Sequence, residues 1–88
     1  MVTIVVPAVW TSRGRTRFEG TAGPLDALIR DFAARHPELA QRLLDADGVP
    51  LGYLTLCVDD DMIPRNQRAA TTVPPGAVVT IIAPMAGG

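Results

Sequence analysis

Gly87-Gly88 closes this sequence, just beyond the β-branched run Val78-Val79-Thr80-Ile81-Ile82. A chain that stops on Gly-Gly past a strand offers its own α-carboxylate as a reactive group. Glycine lacks a Cβ, so such an end can thread a narrow channel and take backbone angles closed to other residues. The alternative is a Gly-rich end with no role, the default for chain termini. At a usage of about 7% glycine, two such residues meet at a terminus by chance in roughly one chain in two hundred. The rest of the chain has to decide between the two.

Few other residues offer chemistry. His36 is the only histidine and has no serine or cysteine partner by pattern, so no nucleophile-base-acid set is present. The single cysteine, Cys57, excludes an internal disulfide and any cysteine-only metal cluster. Cys57 is expected on the non-core side of its strand as a small packing residue. Asp59-Asp60-Asp61 alternate in direction and lack the Gly-punctuated loop of a calcium site, so they read as a turn. No metal site is expected. Arg13, Arg15 and Arg17 alternate and are expected to project from one side of a hairpin. They serve either as a solvated edge that resists aggregation or as a means of steering toward an acidic partner. All eight basic residues are arginine, as a codon bias toward arginine would give.

The elements that position the tail are legible from periodicity. Val2 to Val9 reads as a strand with Val2, Ile4 and Val6 on one face and Thr3, Val5 and Pro7 on the other. After a turn at Thr11–Gly14, Arg15 to Gly20 is expected to pair with it, Phe18 facing the core. Gly23 and Pro24 open a helix in which Leu25, Leu28, Ile29 and Phe32 make one apolar stripe. Pro37 breaks that helix after His36, and Glu38 to Leu44 forms a short second one. Tyr53 to Val58 is a strand, Met62-Ile63 begins its return, and 64–77 is mostly loop. Val78 to Ala83 is the last strand, with Ala77, Val79, Ile81 and Ala83 inward. Trp10 is expected to cover the edge of the core.

The fold class is therefore α+β, a mixed sheet of four to five strands with one main helix on one face, a roll. The first and last strands are expected to lie parallel at its centre. Residues 1–83 form the domain and 84–88 the tail. The uncovered sheet face carries Val5, Pro7, Met62 and Ile82, an apolar patch beside the tail that suggests a docking surface. At 88 residues the core is small but sufficient. The net charge of -1 gives no reason to expect nucleic acid or an anionic membrane. Met1–Val6 lacks the basic region of a signal peptide, and no apolar run approaches the ~20 residues that span a bilayer. The cytoplasm is the expected compartment.

These residues bear a resemblance to a known family. The opening strand Val2–Val6, the helix Pro24–Arg35, His36-Pro37-Glu38-Leu39 through Arg42-Leu43-Leu44, Val58-Asp59-Asp60, and above all Val78 through Gly88 resemble the MoaD/ThiS-type ubiquitin-like sulfur carriers. The longer loop before Tyr53 looks more like the carriers that feed cysteine synthesis or specialised sulfur metabolites. The resemblance implies a β-grasp (ubiquitin-like) fold. It implies that an E1-like (ThiF/MoeB-type) enzyme uses ATP to adenylate the Gly88 carboxylate, which a sulfur nucleophile converts to a thiocarboxylate. A second, sulfur-accepting biosynthetic enzyme would then draw on that sulfur. The product is cysteine, thiazole, molybdopterin or a specialised sulfur metabolite. Pro84, Met85, Ala86 and Gly87 would thread the activating channel, and Val5, Pro7, Met62 and Ile82 would dock. The carrier would bind no cofactor, have no catalytic residues of its own, and be monomeric when free. Two alternatives stay open: a ubiquitin-like modifier conjugated through Gly88, and a binding module whose tail is inert.

Overall fold

The computed structural model describes residues 1–84. The first strand, β1 (Val2–Val5), alternates buried and half-buried side chains, as a period of two with one apolar face requires. It ends earlier than expected, because Pro7 supplies no N–H to continue the ladder. Val6 donates a last bond to the Thr16 carbonyl at 2.8 Å, and Ala8–Trp10 then forms a short 3₁₀ helix that leaves Val9 exposed. The hairpin partner β2 (Arg17–Gly20) is antiparallel to β1 and starts two residues later than the pattern suggested. Gly20 pairs with Val2, and a Cβ there would meet Ile4 Cδ1 at 2.5 Å, so any larger residue must displace the buried Ile4 side chain.

The main helix α1 (Leu25–Arg35) buries Leu25, Leu28, Ile29, Phe32 and Ala33. Its start differs from the expected one. Pro24 is the capping residue rather than the first helical one, and Gly23–Pro24 forms a two-residue strand, β3. The Leu25 N–H donates to the Thr71 carbonyl at 2.9 Å, so a distant segment satisfies one of the helix's orphan donors. His36 ends α1, its N–H bonded to Phe32 O at 3.0 Å, and α2 (Pro37–Leu43) follows at once with Leu39 and Leu43 buried.

β4 (Thr55–Val58) excludes Tyr53, which lies in a turn and is exposed. β5 (Asp61–Ile63) returns antiparallel to it. Asp59 turns the chain with φ 54°, a left-handed conformation that a short polar side chain tolerates. Its N–H donates to Val78 O at 2.7 Å, and its Oδ1 accepts from Val78 N at 3.0 Å. The segment expected to be loop holds a 3₁₀ helix at Arg65–Ala70 and a short strand, β6 (Thr72–Val73), antiparallel to β3. The last strand, β7 (Val78–Ile82), closes the sheet.

The sheet order is β2-β1-β7-β4-β5, with β7 parallel to β1 and antiparallel to β4. This is the expected parallel central pair in a five-stranded mixed sheet. One face packs on α1 and α2 through a continuous core that includes Ile4, Phe32, Leu39, Leu56, Val79 and Ile81. Among the described residues, no helix covers the opposite face.

Candidate functional site

β7 sits between two partners, paired with β1 as far as Thr80 and with β4 as far as Ile82. It delivers the chain to Ala83 and Pro84 at one end of the sheet. Of the expected tail, only Pro84 is described, and it is exposed. Met85, Ala86, Gly87 and Gly88 lie outside the described residues.

Direct pairings place Val5, Met62 and Ile82, three of the four expected docking residues, on the open face. One row runs Arg17, Val5, Thr80, Cys57, Met62 across β2, β1, β7, β4 and β5. Ile82 pairs with Thr55 in the next row, whereas Pro7 lies past the end of β1 as the residue that caps the Ala8–Trp10 helix, so no pairing fixes its side. Met62 is 69% and Ile82 48% exposed, whereas Val5 and Pro7 are half-buried. Thr80 and Cys57 separate Val5 from Met62, so the face is mixed rather than an unbroken apolar patch. Cys57 lies on that non-core face, half-buried.

The expected arginine comb is not formed. Only Arg17 lies in β2. Arg15 precedes the strand, donates from Nε to Arg17 O at 3.1 Å, and holds its guanidinium 4.2 Å from the Phe18 ring centre. Phe18, Phe32 and His36 form an aromatic group, with ring centres 4.8 to 5.3 Å apart. His36 Nδ1 lies 3.5 Å from Glu38 Oε1. Asp59–Asp61 forms the turn and the start of β5, and among the described residues no three His, Cys, Asp or Glu side chains converge as a metal site.

Two features are absent from the sequence pattern. The first lies at the root of the tail. Trp10, Pro37, Arg42, Tyr53 and Pro84 border a concavity of about 760 Å³. Trp10 ends the Ala8–Trp10 3₁₀ helix and Tyr53 sits in a turn, and only tertiary structure brings them beside the last strand's exit.

The second is Arg68, 5% exposed and the one buried charged side chain among the described residues. Its Nη1 donates to Leu51 O at 3.0 Å, and its Nη2 makes a short hydrogen bond to Leu54 O. Its Nε has no partner. Burial pushes the guanidinium below the ordinary arginine value; Asp26 opposes that shift and Arg65 adds to it. The fork ties the 3₁₀ segment to the Leu51–Leu54 turn that carries Tyr53. No periodicity flags it, because its partners are backbone carbonyls 14 and 17 residues upstream.

The sequence profile of the ThiS family matches residues 10–88. The chain belongs to the ThiS family. Its fold also matches, with a TM-score of 0.76 and 22% identity, a chain in the crystal structure of the Amycolatopsis orientalis BexX/CysO complex. That match covers 100% of both chains, so the β-grasp architecture is complete here. A search of curated protein sequences finds no match. A role as a sulfur carrier, not as a catalyst, goes with ThiS-family membership. No helix among the described residues is long and apolar enough to cross a membrane.

Proposed function

We propose that this ThiS-family chain carries sulfur as a thiocarboxylate on Gly88. The observation that carries the reading is the extent of the family match, which runs to residue 88 and so takes in Gly87-Gly88. The chemistry follows from the group itself. A carboxylate is a poor electrophile, because its oxygen leaves poorly. Attack of the Gly88 carboxylate on the α-phosphate of ATP expels pyrophosphate and gives an acyl adenylate. A sulfur nucleophile at the sulfide level displaces AMP and leaves Gly88 as the thiocarboxylate. That soft nucleophile attacks an electrophilic acceptor held by a second enzyme. Water then cleaves the acyl–sulfur bond, which leaves sulfur on the product and restores the carboxylate.

The protein is thus a co-substrate, and its partners hold the catalytic groups. Pro84, Met85, Ala86 and Gly87 enter the activating enzyme's channel, where small residues let the walls close and exclude water from the anhydride. Val5, Pro7, Met62 and Ile82 supply the docking face. The likeness to a chain of the BexX/CysO complex supports a partner enzyme, and the need for ATP suits the cytoplasm. ATP belongs to the activating enzyme. The test is intact mass spectrometry after incubation with ATP, the cognate activating enzyme and sulfide. Exchange of one oxygen for sulfur is expected. An unchanged mass with active enzyme overturns the proposal, and higher-mass protein adducts in its place point to a modifier.

A further inference from the structure

The tail root is one end of a longer trough. The concavity of Trp10, Arg42 and Tyr53 shares Trp10 and Glu38 with a second one of about 570 Å³. That one shares Arg15, Phe18 and His36 with a third of about 500 Å³ beside β2. The trough runs along the α1–α2 junction and wraps round the β2 edge, where Arg17 also belongs to the open-face row.

Its charge is one-sided. Arg13, Arg15, Arg17, Arg35 and Arg42 line it, against Glu19 and Glu38. These seven charges sum to +3, in a chain whose total is -1. Arg35 is paired with Asp31 at 3.2 Å, whereas Arg13, Arg15, Arg17 and Arg42 have no ion pair among the described residues. The Phe18 ring and the Arg17 carbonyl hold Arg15 in place, so less side-chain freedom is lost when it binds an anion. Arg42 lies 6.0 Å from the centre of the Trp10 ring. Tryptophan, tyrosine and arginine together are the composition of interface hot spots.

We infer that this trough is a second docking surface, and that its occupant is an extended acidic segment of a partner protein with an apolar side chain seated between Trp10 and Tyr53. Charge complementarity selects the occupant, and the position of Pro84 at the trough's end selects the partner as one that takes the tail. In that last respect the inference rests on the proposed function. The surface orients the chain during encounter, so that the tail arrives first at its channel.

The experiment uses the full chain and a fluorescein-labelled peptide of alternating aspartate and serine with one phenylalanine, followed by fluorescence anisotropy. Binding is expected, falling as salt rises. The double variant Arg13→Glu/Arg42→Glu spares the Arg15–Phe18 stack and is expected to bind about tenfold more weakly or worse, with unchanged circular dichroism. Asp60→Asn serves as the control and binds as the parent does. Equal affinity for a lysine-for-aspartate peptide, or an undiminished affinity in the double variant, overturns the inference. So does binding to anionic phospholipid vesicles or single-stranded DNA as tight as to the peptide. The assay needs neither ATP nor sulfide, so its failure is distinct from a failure of sulfur loading.

Discussion

Replacing Arg68 tests how a buried charge with no direct ion pair among the described residues can hold a small domain together. In Arg68→Ala the Leu54 carbonyl, inside the core, loses its donor at about 1–3 kcal/mol, and the half-buried Leu51 carbonyl loses about 1 kcal/mol. The aliphatic stem removes about 2 kcal/mol of burial. Against these stands the desolvation that lowers the guanidinium's pKa, a cost of about 2 kcal/mol once the two carbonyls replace part of its water, which the variant no longer bears. The balance is a loss of about 2–4 kcal/mol, a large fraction of the roughly 4–13 kcal/mol expected for a chain of this size. Arg68→Met keeps the stem and drops both the charge and the donors, and is expected to lose about 2 kcal/mol less than Arg68→Ala, a net loss of about 0–2 kcal/mol. Urea unfolding followed by the fluorescence of the single tryptophan, Trp10, measures both, with the slope unchanged. A methionine variant more stable than the parent would refute the reasoning, because desolvation would then outweigh the fork. Amide exchange in the Leu51–Leu54 turn supplies the local readout and is expected to accelerate in both variants.

Three further outcomes are expected. Ile82→Asp leaves the urea midpoint within error, since Ile82 is half-exposed, and weakens binding to the activating enzyme by about 1–2 kcal/mol or more in calorimetry. Asp59→Ala loses both a residue that tolerates φ 54° and the acceptor for Val78 N–H, costing about 1–2 kcal/mol in urea unfolding; Asp59→Gly recovers only the backbone part. Gly20→Val forces Ile4 from its packed position and lowers stability by about 1–3 kcal/mol in the same assay.

The sheet and main helix were legible where one physical rule acts alone. β1 and β7 alternate because one face is buried, and α1 repeats Leu25, Leu28, Ile29 and Phe32 because a helix turns every 3.6 residues. Legibility failed where rules compete. Val9 looked like strand, yet Pro7 had already ended the ladder. Arg15 looked like a strand residue, yet it precedes the strand and curls back onto Phe18 and the Arg17 carbonyl instead of alternating. Residues 65–73 fold as a 3₁₀ segment and a two-residue strand, too short to show a period. Their anchor, Arg68, bonds to distant backbone carbonyls that no side-chain pattern reveals. The site divides likewise. Gly87-Gly88 announces its chemistry by type and position, and the open face by alternation. The Trp10–Tyr53 pairing at the tail root needed the fold.

Loading the carrier with heavy-isotope sulfide and then adding the accepting enzyme tests the central claim most directly. Fragmentation of the intact protein should place the heavy sulfur on Gly88 before the chase. Afterwards the label should be in a small-molecule product, with Gly88 again a carboxylate. Label found on Cys57 instead, or still on Gly88 when product has formed, would contradict the account.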